Sequence, residues 1–329
     1  NPLPPLFLNA NNGSTGFELY GSNGTAAGTI LIYDINAGGN ANPGRLSDFG
    51  RPTSVEFNGA RYFAANNGTA GIELWRSDGT ATGTVLVKDI NPGFGDSNPR
   101  ELIVLGNALY FAATNAASGS ELWKSDGTTV GTVLIKDINP GVTGSGPNSL
   151  VALGNTLYFT ATTSANGTEL WKSNGSEADT VEVADIEPGP TGSSPGYTVA
   201  MGNSVYFLAF TSAFGPELWK SNETEGTVLL KDITPGFRVP GEAYEGLPSE
   251  LTVKGNEFYF FANDVPQNGN LIVFNPTQLW KSDGTTGGTL KLKDLSPPAT
   301  GGGSYPSNLA VVGNTVFFTG FDVGVGTEL

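Results

Sequence analysis

The chain has 329 residues, 38% of them apolar, 10% aromatic and 14% charged, with a net charge of −15. That acidity argues against a nucleic-acid partner, because Lys and Arg must neutralise phosphates, and against a polybasic hold on anionic lipid. Cys and His are both absent, which removes disulfides, thiol catalysis, the Ser-His-Asp triad and the commonest zinc ligand.

No run of 18 apolar residues occurs, so no membrane insertion is predicted. Gly (47) and Pro (21) are abundant, yet the apolar and aromatic content is enough for a core. The opening Asn1-Pro2-Leu3-Pro4-Pro5 reads as a mature or trimmed start without a signal peptide. The composition fits a secreted, acidic bacterial protein.

In chain order, the first apolar run, 6–10, is a predicted strand, and a weak copy of a longer phrase starts at Glu18. The phrase is clear at Glu73-Leu74-Trp75-Arg76-Ser77-Asp78-Gly79-Thr80 and again from Glu121 to Thr128. Further copies start at Glu169, Glu217 and Gln278, with a stub at Glu328. Copies two to five open at Glu73, Glu121, Glu169 and Glu217, a constant spacing of 48 residues. A fixed period of this length means one small unit, repeated, that cannot fold alone.

The unit from Leu102 illustrates the reading. Strand A is 102–105, Gly106-Asn107 turns the chain, and strand B is 108–112. A two-residue link of this kind is a tight hairpin. The same pair recurs at 154, 202, 255 and 313, and Asn58-Gly59 reverses it, favouring the other primed turn. Strand C is 121–125, Asp126-Gly127-Thr128 opens a second hairpin, and strand D is 132–138, stopped by Asn139-Pro140-Gly141.

Setting Ser77 opposite Thr84 places Trp75 across from Leu86 and Glu73 across from Lys88. The same register predicts ion pairs Glu121–Lys136 and Glu217–Lys231, each contributing roughly 0.2–1 kcal/mol. At Glu169 the pair is lost to Ala184, and Gln278 faces Lys293.

Leu74 and Val87 point to one face of the sheet, Trp75 and Leu86 to the other. A sheet apolar on both faces is covered on both. No stretch shows helical periodicity, so the covers are sister sheets. Four antiparallel strands per ~48 residues, stacked face to face, describe a β-propeller blade.

The motif resembles the bacterial repeat family named after Glu-Leu-Trp-x-x-Asp-Gly-Thr, found in tandem in large secreted and surface proteins. The resemblance covers nearly the whole chain; the copies at Tyr20, Asn174 and Asn222 depart from it. It implies an extracellular or cell-surface propeller-like module and no particular reaction.

The expected fold is thus all-β: a single propeller domain over 1–329, with incomplete repeats at both ends. Strands A and D are predicted six times each, B and C seven times. Twenty-six strands fit seven blades with the two terminal ones short; six blades are the alternative. Surplus strands that complete a neighbouring molecule, by head-to-tail self-assembly, are a third use.

Long irregular loops on a rigid scaffold are where binding usually resides. The longest are 36–52, 236–249 and 263–277, all B–C or D–A connections predicted to share one edge. Within 236–277, Arg238, Glu242, Tyr244, Glu245, Asp264, Gln267 and Asn268 have no counterpart in other copies and are the ligand-binding candidates. Ordinary tolerated insertion is the competing explanation. Trp75, Trp123, Trp171, Trp219 and Trp280, with Asp78, Asp126 and Asp283, are assigned to the scaffold. The turn Asp residues are expected to bond nearby backbone N–H groups. Calcium is the metal to consider; it needs six to eight oxygens at ~2.4 Å, here gathered from several loops.

Three functions follow. The first is a non-catalytic adhesion or glycan-binding module, with Tyr and Asn/Gln on loops suited to sugars, or with a surface protein as partner. The second is a structural subunit of a matrix or fibre. The third is a glycoside hydrolase-like enzyme drawing two carboxylates from Glu242, Glu245 and Asp264. Six Asn-x-Ser/Thr sequons, including Asn67-Gly68-Thr69 and Asn166-Gly167-Thr168, permit glycosylation.

Overall fold

A computed structural model describes residues 4, 6–44, 54–235, 237–239, 242–243, 247–263, 277–293, 295, 306–322 and 326–328. Every regular element among them is a β-strand. The strands form seven antiparallel sheets of three or four strands and one two-stranded ribbon.

Sheet 1 is Leu6–Asn11, Phe17–Ser22 and Ile30–Tyr33. Sheet 2 is Ser54–Phe57, Ala60–Asn66, Ile72–Ser77 and Val85–Lys88. Sheet 3 is Arg100–Leu105, Ala108–Asn115, Gly119–Ser125 and Val133–Lys136. Sheet 4 is Asn148–Leu153, Thr156–Thr163, Gly167–Ser173 and Val181–Ala184. Sheet 5 is Gly196–Met201, Ser204–Thr211, Gly215–Asn222 and Gly226–Lys231. Sheet 6 is Ser249–Lys254, Glu257–Asn263, Thr277–Ser282 and Leu290–Lys293. Sheet 7 is Ser307–Val312, Thr315–Asp322 and Gly326–Glu328. Among the described residues, then, sheet 1 lacks an A strand and sheet 7 a D strand, as the repeat count predicts.

The chain divides into two compact units, residues 1–163 with 172–181, and 164–171 with 182–329. Their boundary runs through sheet 4.

The hairpins obey the expected turn chemistry. Asn58 (φ 48°) and Gly59 (φ 72°) are both left-handed, whereas Gly106 (φ 59°) is so and Asn107 is not. The first pattern is that of a type I′ turn and the second that of a II′ turn.

The C–D register is half as predicted. Trp75 does pair with Leu86, and the Ser77 and Thr84 hydroxyls meet at 2.7 Å. A bulge between Leu74 and Trp75 then sets Leu74, not Glu73, opposite Lys88. The same bulge sets Leu122 opposite Lys136, Leu218 opposite Lys231 and Leu279 opposite Lys293. The predicted Glu–Lys ion pairs do not form. An extra residue shifts everything beyond it by one position, and the two side chains find different partners. Lys88 Nζ crosses to the next sheet and donates to the Thr132 carbonyl at 2.8 Å; Lys136 does the same to Thr180 at 2.8 Å.

Sheets pack as the two-faced pattern requires. In the first unit, Leu19 and Ile32 of sheet 1 meet Phe63, Ala65 and Trp75 of sheet 2. The other face of sheet 2, with Tyr62, Leu74 and Val87, meets Leu109, Phe111 and Trp123 of sheet 3. In the second unit, Tyr206, Leu218 and Leu230 of sheet 5 meet Phe258, Phe260 and Trp280 of sheet 6. Trp280 stacks on Phe260 at 6.2 Å, and Phe261 meets Phe318 of sheet 7 edge-on at 5.6 Å. A Leu-bearing face thus seats a Trp-bearing face, each large side chain contributing about 1.5–3 kcal/mol. The indole N–H of all five Trp residues has no hydrogen-bond partner, so the rings act through apolar area.

The packing also explains the Gly of the motif. A Cβ on Gly127 (φ +93°) would lie 2.3 Å from the Tyr62 hydroxyl of the preceding sheet. Gly175 and Gly284 stand in the same relation to Tyr110 and Tyr206, each at 2.2 Å. Gly24 (φ +86°), in the same turn of sheet 1, has open space around it. Gly127→Ala is therefore expected to cost about 2–3 kcal/mol, and Gly24→Ala about 1 kcal/mol for its left-handed backbone alone. Urea unfolding of both variants checks this; equal losses would remove the Tyr62 contact as a cause.

Candidate functional site

In these meanders the A–B and C–D turns lie at one end of each sheet, and the B–C and D–A connections at the other. The two ends differ in chemistry.

At the turn end the Asp residues are occupied. Asp78 Oδ1 accepts from the Thr80 N–H at 2.9 Å and its hydroxyl at 2.6 Å. Asp126 accepts likewise from Thr128 at 2.8 and 2.7 Å, and Asp283 from Thr285 at 2.9 and 2.7 Å. The Thr hydroxyl, then its N–H, hold these carboxyls below the usual range. This is the turn role expected of them. Among the described residues, no three Asp or Glu side chains are grouped to hold a metal ion.

At the loop end the Glu that opens each motif copy is the organising residue. Glu18, Glu73, Glu121, Glu169 and Glu217 are all fully buried, at 0% exposure. Glu73 accepts from the Ile90 N–H at 2.8 Å, the Asn91 N–H at 3.4 Å, the Ser97 N–H at 3.1 Å and the Ser97 hydroxyl at 2.6 Å. One side chain thereby pins both ends of the D–A loop. Glu121 holds Asn139 and Ser145, Glu169 holds Glu187 and Ser193, and Glu18 holds Ile35 and Ala41. Glu217 holds Ile233 and Thr234, and Gln278 accepts from the Leu295 N–H at 2.6 Å. Burial pushes Glu73 and Glu217 up to about 7 against the pull of these bonds. Glu18, Glu121 and Glu169 are raised for the same reason.

Beside these loops the A strands carry a repeated backbone irregularity. In sheet 3 the register jumps between Arg100 and Ile103, with Glu101 at φ 58°. Ser149 (56°), Tyr197 (52°), Glu250 (53°) and Asn308 (58°) occupy the same position in sheets 4 to 7. Left-handed residues other than Gly cost about 1–3 kcal/mol each when held in sparsely populated regions, and such strain gathers at ligand sites. Two of these side chains reach the neighbouring A strand. Glu101 accepts from the Leu150 N–H at 3.1 Å, and Glu250 from the Leu309 N–H at 2.7 Å. Tyr197 is 49% exposed, and Asn308 is also exposed.

Of the residues singled out from sequence, Arg238 and Glu242 lie on the ribbon Phe237–Val239 and Glu242–Ala243, in which Val239 pairs with Glu242. Tyr244, Glu245, Asp264, Gln267 and Asn268 lie outside the described residues. The bulge residues are not legible as a set, because Glu, Ser, Tyr, Glu and Asn share a position without sharing a chemistry. The signal was the invariant place, one residue before Leu102, Leu150, Leu251 and Leu309.

No family model matches the chain, and no curated protein matches it. Solved structures do. A prolyl endopeptidase analysed for inter-domain dynamics aligns with a TM-score of 0.52 at 12% identity, over 94% of this chain and 43% of its own. The computationally designed Ika8 protein gives 0.49 at 14%, over 96% and 80%. A GH74 enzyme of Niastella koreensis gives 0.43 at 13%, over 87% and 44%. The chain thus spans less than half the length of the endopeptidase and of the GH74 enzyme. The likeness concerns fold alone, which is all-β and propeller-like.

Proposed function

We propose that the chain is a seven-bladed β-propeller of the Glu-Leu-Trp-x-x-Asp-Gly-Thr repeat family. In this reading it is a non-catalytic extracellular or cell-surface module that binds a glycan or a surface protein through its B–C and D–A loop edge. The observation that carries the reading is the Glu clasp: a buried side chain bonds the start of the D–A connection in sheets 1 to 6 and both of its ends in sheets 2 to 4. Loops fixed in advance lose less conformational freedom on binding. The repeated motif is consumed by the scaffold, which leaves recognition to residues that differ between copies.

A glycan array probed with the intact chain tests this, with a sugar-release assay beside it. Binding without release is the expected result. Release of sugar would transfer the chain to the hydrolase class and overturn the reading. Alanine at Tyr244 and Glu245 should weaken a bound glycan; unchanged affinity would move the site out of residues 236–277.

A further inference from the structure

The second unit joins three of the strained positions. Its A strands Gly196–Met201, Ser249–Lys254 and Ser307–Val312 lie side by side, so Tyr197, Glu250 and Asn308 occupy one register across adjacent strands. Glu250 is fixed there by the Leu309 N–H at 2.7 Å, directly beside Asn308. Asn308 Nδ2 donates to the Ser307 and Thr319 hydroxyls, each at 3.1 Å. Tyr197 presents a half-exposed ring from a left-handed backbone (φ 52°) that favours Gly. About half of this bulky aromatic residue is open to solvent.

The neighbouring residue points the same way. Thr198 stands where the other bulged strands carry Leu102, Leu150, Leu251 and Leu309. Its hydroxyl is buried, the residue being 6% exposed, and has no hydrogen-bond partner. Exchanging an apolar core residue for an unpaired buried hydroxyl is unfavourable for folding. Strand Gly196–Met201 therefore departs from the other bulged strands at Thr198, at a cost to the scaffold, directly beside the aromatic member of the bulge set.

We propose that Tyr197, Glu250 and Asn308 form a carbohydrate-binding site on the second unit. The Tyr197 ring stacks on the apolar face of one pyranose of an oligosaccharide laid across the three strands, and the Glu250 carboxylate and the Asn308 amide oxygen accept from hydroxyls along the same chain of sugars. The combination of one exposed aromatic with planar polar groups suits a neutral sugar, whose two faces differ in polarity. The site rests on the binding-module reading for its ligand class, but not on residues 236–277.

The test is calorimetric titration of the intact protein with cellohexaose, chitohexaose and laminarihexaose. At least one should bind. Tyr197→Ala and Asn308→Ala should each weaken it by about tenfold or more, while Tyr197→Phe, which keeps the ring, should retain it. Tyr33→Ala, an exposed Tyr of the first sheet (39%), should bind as the parent does. Parent-like binding by both Tyr197→Ala and Asn308→Ala overturns this site and leaves the binding-module reading intact. Failure of all three oligosaccharides to bind the parent overturns the carbohydrate assignment, and the array then decides the wider reading. Thermal midpoints within a few degrees of the parent show that the variants are folded, as the exposure of both side chains leads us to expect.

Discussion

Glu73→Ala is expected to destabilise the protein by about 3–4 kcal/mol, whereas Glu73→Gln, which loses an acceptor on one side only, is expected to cost about 1–2 kcal/mol. The side chain is fully buried and receives three backbone N–H groups and a hydroxyl. Alanine strands the buried Ile90 N–H and takes the acceptor from the part-buried Asn91 N–H, and an unsatisfied buried group costs about 1–3 kcal/mol. Ser97 loses less, because its N–H and its hydroxyl also reach the Ile72 carbonyl, at 2.9 and 3.2 Å. Glutamine keeps one accepting oxygen of the same length, as Gln278 (2% exposed) does for the Leu295 N–H, but turns its NH2 toward either the Ile90 N–H or the Asn91 and Ser97 N–H groups. Chemical unfolding gives the two losses. Hydrogen exchange at Ile90 and Asn91 should quicken in the alanine variant before the rest of the sheet does. Equal losses for the two variants would mean that the acceptor oxygens contribute nothing and that the clasp is packing alone.

That contrast also marks what the sequence could and could not tell. Periodicity, turn pairs and the alternation of apolar residues are local properties, so strands, hairpins and the face-to-face stacking were legible. Trp75 opposite Leu86 and the Ser77–Thr84 pair follow from counting back from the turn. The roles of Glu73 and Lys88 were not legible. A single bulge residue carries Glu73 past its predicted partner, and nothing in Leu74-Trp75 announces a bulge. Glu73 bonds residues 17 to 24 positions away, and Lys88 bonds a carbonyl 44 positions away in the next sheet. Opposite charges at matching positions suggested the shorter-range answer. The Gly of the turn shows the same limit, since its positive φ was readable and its contact with a Tyr of the preceding sheet was not. The strained positions on the A strands escaped for another reason. Of Glu101, Ser149, Tyr197, Glu250 and Asn308, only Asn belongs to a residue type that readily takes the left-handed region.

Stability is expected to fall as the pH rises from about 4.5 to about 7, the reverse of the usual carboxylate behaviour. Glu73 and Glu217 are raised from 4.5 to about 7 by burial. Between those values the unfolded chain has released protons that the folded chain still binds, so folding is favoured on the acid side. Each group's contribution is fully present below about 4.5 and is lost by about 7, at up to ~1.4 kcal/mol per pH unit within the window. For the two together the loss is at most about 7 kcal/mol. Glu18, Glu121 and Glu169 shift in the same direction and add to it. The turn residues Asp78, Asp126 and Asp283 act oppositely, because their lowered values make stability fall as the pH drops through them. The two trends leave a maximum near pH 4–5. Self-repulsion by the net charge of −15 also grows above the sequence pI of about 4.3, and a second experiment separates it from the clasp. Glu73→Gln together with Glu217→Gln removes two titrating groups but only two of the charges. Thermal midpoints recorded from pH 4 to 8 should therefore flatten markedly in the double variant. A slope unchanged from the parent would assign the pH dependence to overall charge, and the buried glutamates would then have to be ionised throughout the range.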